Sequence, residues 1–157
     1  MSNLVLTNEA WLKWAIGRYY RSLGYKVSMK PARVGNAAVD GVALSPEGER
    51  IAIEVKSPSD DIIRGIGQCA EALAAGYSRA VLVTTLRVGK KLKKRVFQRR
   101  RFKLLGIDAK ARIHRYDSDG WRLLGGWLNF LLFCHALLTT FHFCYTLDRT
   151  LISGPFE

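Results

Sequence analysis

The sequence predicts an α/β fold with a mixed central sheet. Three short strand patterns follow a first helix pattern, and a second helix leads into a continuous apolar strand. Strands joined by a hairpin run antiparallel, whereas an apolar strand reached through a helix is typical of a buried parallel strand. The predicted order is helix, three strands, helix and strand, at 7–23, 25–30, 38–44, 50–56, 60–75 and 79–85.

The first helix is predicted to begin at Thr7, which is a suitable N-cap, and to end near Leu23, before Gly24. Apolar residues recur at helical spacing along it. Residues 25–30 then alternate between apolar and polar side chains, as in a half-buried strand. The apolar helix positions are Leu12, Ala15, Ile16, Tyr19 and Leu23.

A loop is predicted at 31–37, with Gly35-Asn36 as its turn signal. The strands at 38–44 and 50–56 are joined by a short hairpin at 45–49. Asp60 or Ser59 caps the second helix, which ends at Gly76. The crossover from this helix into the strand at 79–85 is expected to be right-handed.

A strongly basic segment follows, with ten Lys and Arg residues and no acid between Arg87 and Lys103. We expect an amphipathic helix over 87–105, suited to DNA phosphates or to an anionic membrane surface, or simply solvated. The formal net charge of +12 also favours an anionic partner. Two more strands are predicted, at 111–116 and 121–124.

The composition then changes, because residues 123–147 contain no Asp, Glu, Lys or Arg. Such a run is longer than the roughly 20 residues that a membrane span needs. It is a membrane or interfacial helix, a packing helix or dimer interface, or an aberrant C-terminus. The predicted organisation is a domain at 1–122, an apolar helix at 123–147 and a tail at 148–157.

The predicted compartment is the cytoplasm, because three cysteines suggest no disulfide framework and no secretory leader is visible. If 123–147 spans a membrane, the basic segment before it keeps the first domain on the cytoplasmic side. A zinc site in the apolar segment is not expected, because its cysteine and histidine spacings fit no common site. These residues are Cys134, His135, His142 and Cys144.

The strand at 50–56 carries the residues of greatest chemical interest. Glu54 and Lys56 point to the same face, because successive strand residues alternate, and Asp40 lies on the neighbouring strand. Asp40 and Glu54, with the carbonyl of Val55, could hold magnesium beside a phosphate, and Lys56 could orient the attacking water. From these residues alone, a surface hairpin carrying an ordinary Glu–Lys pair is an equally open alternative.

Val39-Asp40-Gly41 followed by Ile53-Glu54-Val55-Lys56 resembles the PD-(D/E)xK nuclease superfamily. The resemblance covers about 7–85. Arg33 and 35–38 before Asp40, and Ser57 after the motif, look most like archaeal Holliday-junction resolvases. The resemblance implies a restriction-endonuclease-like αβββαβ core and a magnesium-dependent DNA endonuclease, with manganese as a substitute. Asp40 and Glu54 then bind the metal, and Lys56 is catalytic.

The same resemblance assigns roles to two more residues. Glu9 is a further metal-site carboxylate or an ordinary first-turn glutamate. Gln68 faces the catalytic site or lies on the solvent face of its helix. Val39 replaces the usual proline, and Ala37-Ala38 stand where resolvases often have a serine, which leaves junction specificity open.

The expected substrate is DNA, cut in junction resolution or repair, and the resemblance implies a homodimer. The alternative is a non-catalytic nucleic-acid-binding module, with or without a membrane tether at 123–147. The residues predicted to contact DNA are Arg33, Lys90, Lys91, Lys93, Lys94, Arg95, Arg99, Arg100 and Arg101.

Overall fold

The computed structural model describes residues 8–92, 101–117 and 120–125. The chain divides into two units between Leu124 and Gly125, and the fold presented below belongs to the first. The helices in the described residues are α1 Glu9–Ser22, α2 Ile62–Ala74 and α3 Leu86–Gly89. The strands there are β1 Lys26–Ser28, β2 Ala32–Val34, β3 Ala37–Val39, β4 Gly41–Leu44, β5 Arg50–Val55, β6 Arg79–Thr85, β7 Phe102–Ile107, β8 Ile113–Asp117 and β9 Gly120–Gly125.

Seven strands form one mixed sheet in the order β1-β4-β5-β6-β7-β8-β9. The three central strands, β5, β6 and β7, are parallel to one another. The pairs β1–β4, β4–β5 and β7–β8 are antiparallel. The predicted α/β class with a mixed central sheet is therefore confirmed.

Two apolar clusters lie on the two faces of this sheet. Leu12 and Ile16 of α1 pack with Ile53 and Val55 of β5, and their cluster includes Val83 of β6. Ala52 and Leu82, which alternate with those strand residues, belong to a second cluster with Cys69 and Ala72 of α2. The two long helices thus cover opposite faces, and this explains why β6 is buried at every position after Arg79.

The helix boundaries depend on side-chain caps and on glycines. Asn8, rather than the predicted Thr7, caps α1 by accepting a hydrogen bond from the backbone N–H of Ala10, at 2.9 Å. Thr7 lies outside the described residues. Asp61, rather than Asp60 or Ser59, caps α2. Gly24 and Gly76 end the two helices with positive φ angles of 84° and 89°, as their positions predict.

The predicted loop at 31–37 and strand at 38–44 need a correction. Residues 32–34 and 37–39 form the antiparallel hairpin β2–β3 around Gly35-Asn36, so of the predicted loop only the turn is confirmed. The chain bends at Asp40, and β4 then continues in the main sheet. A Cβ on Gly41 would lie 2.7 Å from the Ser28 carbonyl oxygen, so close strand approach requires glycine there.

The predicted basic helix at 87–105 is wrong over its last part. The helix α3 ends at Gly89, residues 93–100 lie outside the described part of the chain, and 102–107 form β7. Phe102 and Leu104 pack on the α2 side of the sheet, while Leu105 and Ile107 pack on the α1 side. Burial on both faces of the sheet outweighs the local helical pattern.

The predicted strand at 121–124 is confirmed as part of β9. Residues 123–125 are therefore strand rather than the start of the predicted apolar helix, whose remaining part, 126–147, lies outside the described residues. The same is true of Cys134, His135, His142 and Cys144. Of the helices that the structure describes, none combines the length and apolar character required to cross a membrane.

Candidate active site

Asp40 lies at the bend where the chain leaves β3 and enters β4. In the antiparallel ladder the next residue, Gly41, is opposite Ile53, which directly precedes Glu54. One carboxylate oxygen of Asp40, Oδ2, accepts a hydrogen bond from the backbone N–H of Val55 at 2.8 Å. The side chain thus replaces a backbone ladder contact and fixes the carboxylate at the end of β5.

Glu54 is a buried acid on the face of β5 that α2 covers; only 1% of the residue is exposed. Its Oε1 lies 2.6 Å from Lys56 Nζ, but Oε2 is buried with no hydrogen-bond partner among the described residues. Burial, aided by the charge of Asp40, raises the pKa of Glu54, although Lys56 opposes this. A buried carboxylate with one unpaired oxygen favours the arrival of a cation.

Lys56 follows β5 directly, and its backbone N–H donates to the Val83 carbonyl of β6 at 2.8 Å. Its side chain passes over Gly65 of α2, where a Cβ would lie 3.0 Å from Lys56 Cγ and 3.1 Å from Cε. A glycine in α2 therefore provides the room in which the lysine reaches Glu54. The prediction that Glu54 and Lys56 share one face of the strand is confirmed.

Lys13 of α1 is a site residue that the sequence analysis missed. Its Nζ lies 2.8 Å from Asp40 Oδ1 and also forms an ion pair with Glu9, four residues earlier. Burial lowers the pKa of Lys13, but the hydrogen bonds to Asp40 and Glu9 outweigh burial and raise it. The ammonium is therefore charged at neutral pH. The i, i+4 spacing of Glu9 and Lys13 is visible in the sequence, but nothing local connects this pair to Asp40.

Glu9 joins this cluster through Lys13, and its side chain is 44% exposed. It is also the acidic residue of the first turn of α1, where the helix dipole favours a negative charge. The structure thus accommodates the ordinary first-turn glutamate, and the metal-ligand role of Glu9 remains a prediction.

Gln68 holds α2 against the β2–β3 hairpin. Its side-chain N–H group donates to the Ala38 carbonyl oxygen, and because a carbonyl only accepts, this contact fixes the orientation of the amide. Its Oε1 is buried and has no hydrogen-bond partner among the described residues. Gln68 therefore contacts the strand that leads to Asp40, and it also lines an open groove of about 800 Å³ with Arg33 and Arg64.

The residues predicted to contact DNA differ in their surroundings. Arg33 in β2 and Lys90 and Lys91 after α3 are exposed. Arg101 instead donates hydrogen bonds to the carbonyls of Tyr77 and Ser78, the latter at 3.0 Å, so it joins the start of β7 to the chain before β6. Lys93, Lys94, Arg95, Arg99 and Arg100 lie outside the described residues.

The donor set fits magnesium. Within the described ranges no three acidic, histidine or cysteine side chains form a metal cluster. Magnesium, however, typically takes one or two protein carboxylates and completes its shell with water and phosphate oxygens. Asp40 contacts the backbone of Val55, the residue after Glu54, and Glu54 Oε2 has no competing partner among the described residues. The backbone carbonyl of Val55 remains a predicted third ligand.

Comparison with family models and with curated proteins gives no match for this sequence. One solved structure, a protein of unknown function from Silicibacter pomeroyi, is similar with a TM-score of 0.48 and 18% sequence identity. The similarity covers 93% of this chain and 94% of that protein. At this level it indicates neither a family nor a function.

Proposed function

We propose that this protein is a magnesium-dependent DNA endonuclease of the PD-(D/E)xK type, with a restriction-endonuclease-like core. The observation that carries the proposal is the convergence of Asp40, Glu54 and Lys56 at the end of β5. The order of α1, three main-sheet strands, α2 and β6 supports it, with the β2–β3 hairpin as an insertion between the first two of those strands.

Asp40 and Glu54 would hold the metal ion, with the Val55 carbonyl as a further oxygen ligand. A bound magnesium ion polarises a phosphodiester and lowers the pKa of a coordinated water. The ammonium of Lys56 would donate a hydrogen bond to the attacking water or to a phosphate oxygen. It would thereby stabilise the negative charge that develops as the water oxygen bonds to phosphorus and the leaving oxygen departs.

DNA is the proposed substrate because the chain has a formal net charge of +12. Arg33, Lys90 and Lys91 are exposed and would contact backbone phosphates, which position a duplex without identifying its sequence. Branched or junction DNA, a role in recombination or repair and a homodimeric enzyme are parts of the proposal that rest on the family resemblance.

A non-catalytic nucleic-acid-binding module is the second candidate. The observation that favours it is that Lys13 contacts Asp40 and Lys56 contacts Glu54, so two ammonium groups partly neutralise these carboxylates. Such a module would bind DNA through the same basic residues without cutting it. For either candidate we propose a cytoplasmic location. Membrane attachment through 123–147 is the alternative, which cell fractionation would detect.

The two candidates differ in magnesium-dependent cleavage of branched, duplex and single-stranded DNA. We expect the wild type to cut at least one substrate and Glu54→Gln to lose cutting while still binding DNA. Glu49→Gln is the matched control, because Glu49 precedes β5 and ion-pairs with Arg79 rather than with a site residue. If no substrate is cut although wild type and Glu54→Gln bind DNA equally, the endonuclease proposal fails and the binding module is supported.

A further inference from the structure

The groove beside the candidate active site lies between the β2–β3 hairpin and α2. It is open to solvent and has a volume of about 800 Å³, within the roughly 300–1,000 Å³ of sites that hold small molecules. Ala38 and Gln68 form part of its wall, and Ala38 is two residues before Asp40. A ligand in the groove would therefore lie next to the bend that carries the Asp40 carboxylate.

Two cationic side chains line this groove. Arg33 of β2 and Arg64 of α2 are both exposed. Neither guanidinium group forms a hydrogen bond or ion pair with another residue in the described part of the chain. Two guanidinium groups without a carboxylate partner favour a phosphate, which arginine binds with well-defined geometry.

Gln68, a residue of the groove wall, also carries an acceptor that a phosphate cannot satisfy. Gln68 Oε1 is buried and lacks a donor among the described residues, while one N–H of the amide donates to the Ala38 carbonyl. A phosphodiester has no N–H or O–H group, whereas a nucleobase carries amino or ring N–H donors. Pro31, Ala37 and Ala38 add small apolar surfaces to the wall, against which a base can pack.

We propose that this groove binds one unpaired nucleotide of a DNA strand. Arg33 and Arg64 contact its phosphate, and Gln68 Oε1 accepts a hydrogen bond from its base. A paired base uses its donors within the duplex and lies inside the stack, so only an unpaired or extruded base fits. This proposal rests on the proposed function, because it takes the nucleotide to belong to the DNA strand that the enzyme cuts.

The test is binding of short single strands by fluorescence anisotropy in EDTA, where no cutting occurs. The probes are a base-bearing strand and an abasic strand that has the same phosphates. We expect wild type to bind the base-bearing strand about tenfold more tightly, equivalent to about 1.4 kcal/mol. In Gln68→Met this preference disappears, and in Arg33→Ala/Arg64→Ala the affinity for both strands falls about tenfold.

Two further variants make the result interpretable. Lys90 and Lys91 lie outside the groove. The double variant Lys90→Ala/Lys91→Ala should therefore lower the affinity for both strands equally and keep the preference for the base-bearing strand. Arg64→Ala removes one exposed, unpaired guanidinium and should fold normally, so it tests the groove even if Gln68→Met does not fold. Equal wild-type binding of the two strands, or Arg64→Ala binding like wild type, would overturn the inference.

These outcomes separate the groove from the nuclease chemistry. If Glu54-dependent cleavage is found but the groove variants bind as wild type does, only the groove inference fails. If the groove variants lose binding and no DNA is cut with magnesium, only the proposed endonuclease activity fails.

Discussion

Lys13 Nζ lies 2.8 Å from Asp40 Oδ1, so a lysine of α1 contacts the carboxylate at the bend before β4. The two side chains are 24% and 18% exposed, which makes this a partly buried ion pair. In the absence of metal this ammonium partly neutralises Asp40, while Lys56 pairs with Glu54.

The first prediction is that Lys13→Met destabilises the metal-free protein by about 1–3 kcal/mol, because a partly buried carboxylate is left without its partner. Magnesium or manganese should recover much of this stability, so the metal-induced rise in Tm is larger than in wild type. Urea unfolding in EDTA and thermal unfolding with added metal measure the two effects. Lys13→Arg is the control, since it retains the charge. A variant as stable as wild type in EDTA would contradict this role for Lys13.

The second prediction concerns two glycines of α2. In Gly65→Ala the new methyl group would meet Lys56 and Leu82 at 3.0 Å. We therefore expect a lower free energy of unfolding and a displaced Lys56 side chain. In Gly67→Ala the methyl group meets nothing within 4 Å, and helix propensity should stabilise the protein by up to about 1 kcal/mol. Urea unfolding of both variants compares them, and cleavage by Gly65→Ala reports the displacement of Lys56. Equal stability changes would show that Gly65 is not a close contact.

The third prediction is a pH dependence of the protein's stability that arises from Asp108, in the turn between β7 and β8. Asp108 accepts hydrogen bonds from His114 Nε2 at 3.0 Å and Arg112 Nε at 2.7 Å. Burial alone would raise the pKa of Asp108, but the hydrogen bonds from His114, Arg112 and the Lys110 backbone lower it to about 2. Because the folded pKa is below the unfolded one, the stabilisation is complete above about pH 4 and disappears as pH falls to about 2.

Asp108→Asn should therefore be less stable than wild type at neutral pH, and the difference should shrink as the pH falls below about 4. Unfolding midpoints in urea at stepwise lower pH measure it. A difference that is constant across this range would show that the Asp108 charge is not the stabilising feature. Asp117→Asn, at the end of β8 beside Arg115 and Arg122, is the comparison.

The fourth prediction separates structural from DNA-binding basic residues. Arg101→Ala should lower the free energy of unfolding by about 1–3 kcal/mol, since it leaves the Tyr77 and Ser78 carbonyls without their donor. Lys90→Ala and Lys91→Ala are exposed substitutions and should change stability by no more than about 0.5 kcal/mol.

DNA affinity should show the opposite pattern. Each lysine variant should weaken binding and reduce the slope of log affinity against log salt by about one for each phosphate that the lysine no longer neutralises. Arg101→Ala, once corrected for its folded fraction, should bind nearly as wild type does. If Arg101→Ala is fully stable and does not bind DNA, the main role of this arginine is to hold DNA and not the backbone carbonyls.

The sequence predicted those elements whose signals are local. Periodic apolar residues and a following glycine identified α1 and α2, and the apolar run at 79–85 identified β6 as a buried strand. Glu54 and Lys56 were placed on one face by strand alternation, and the structure confirms it.

The features that the sequence did not reveal depend on residues far apart in the chain. The basic run at 99–101 continues into β7 without a glycine or proline, so no local signal marks the boundary of the strand. Pairing with β6 and burial on both faces decide its conformation. Lys13 and Asp40 are brought together only when α1 packs on the sheet, so helical spacing alone could not connect them.

The most direct test of the account is to compare the rates of magnesium-dependent DNA cleavage by the variants Lys56→Met and Lys26→Met. Both substitutions remove an ammonium, but Lys26 is exposed on β1, whereas Lys56 contacts Glu54. We predict that Lys56→Met binds DNA normally and cuts it at least about 100-fold more slowly, while Lys26→Met cuts at the wild-type rate. Equal cutting by wild type and both variants would contradict the assignment of Asp40, Glu54 and Lys56 as the active site.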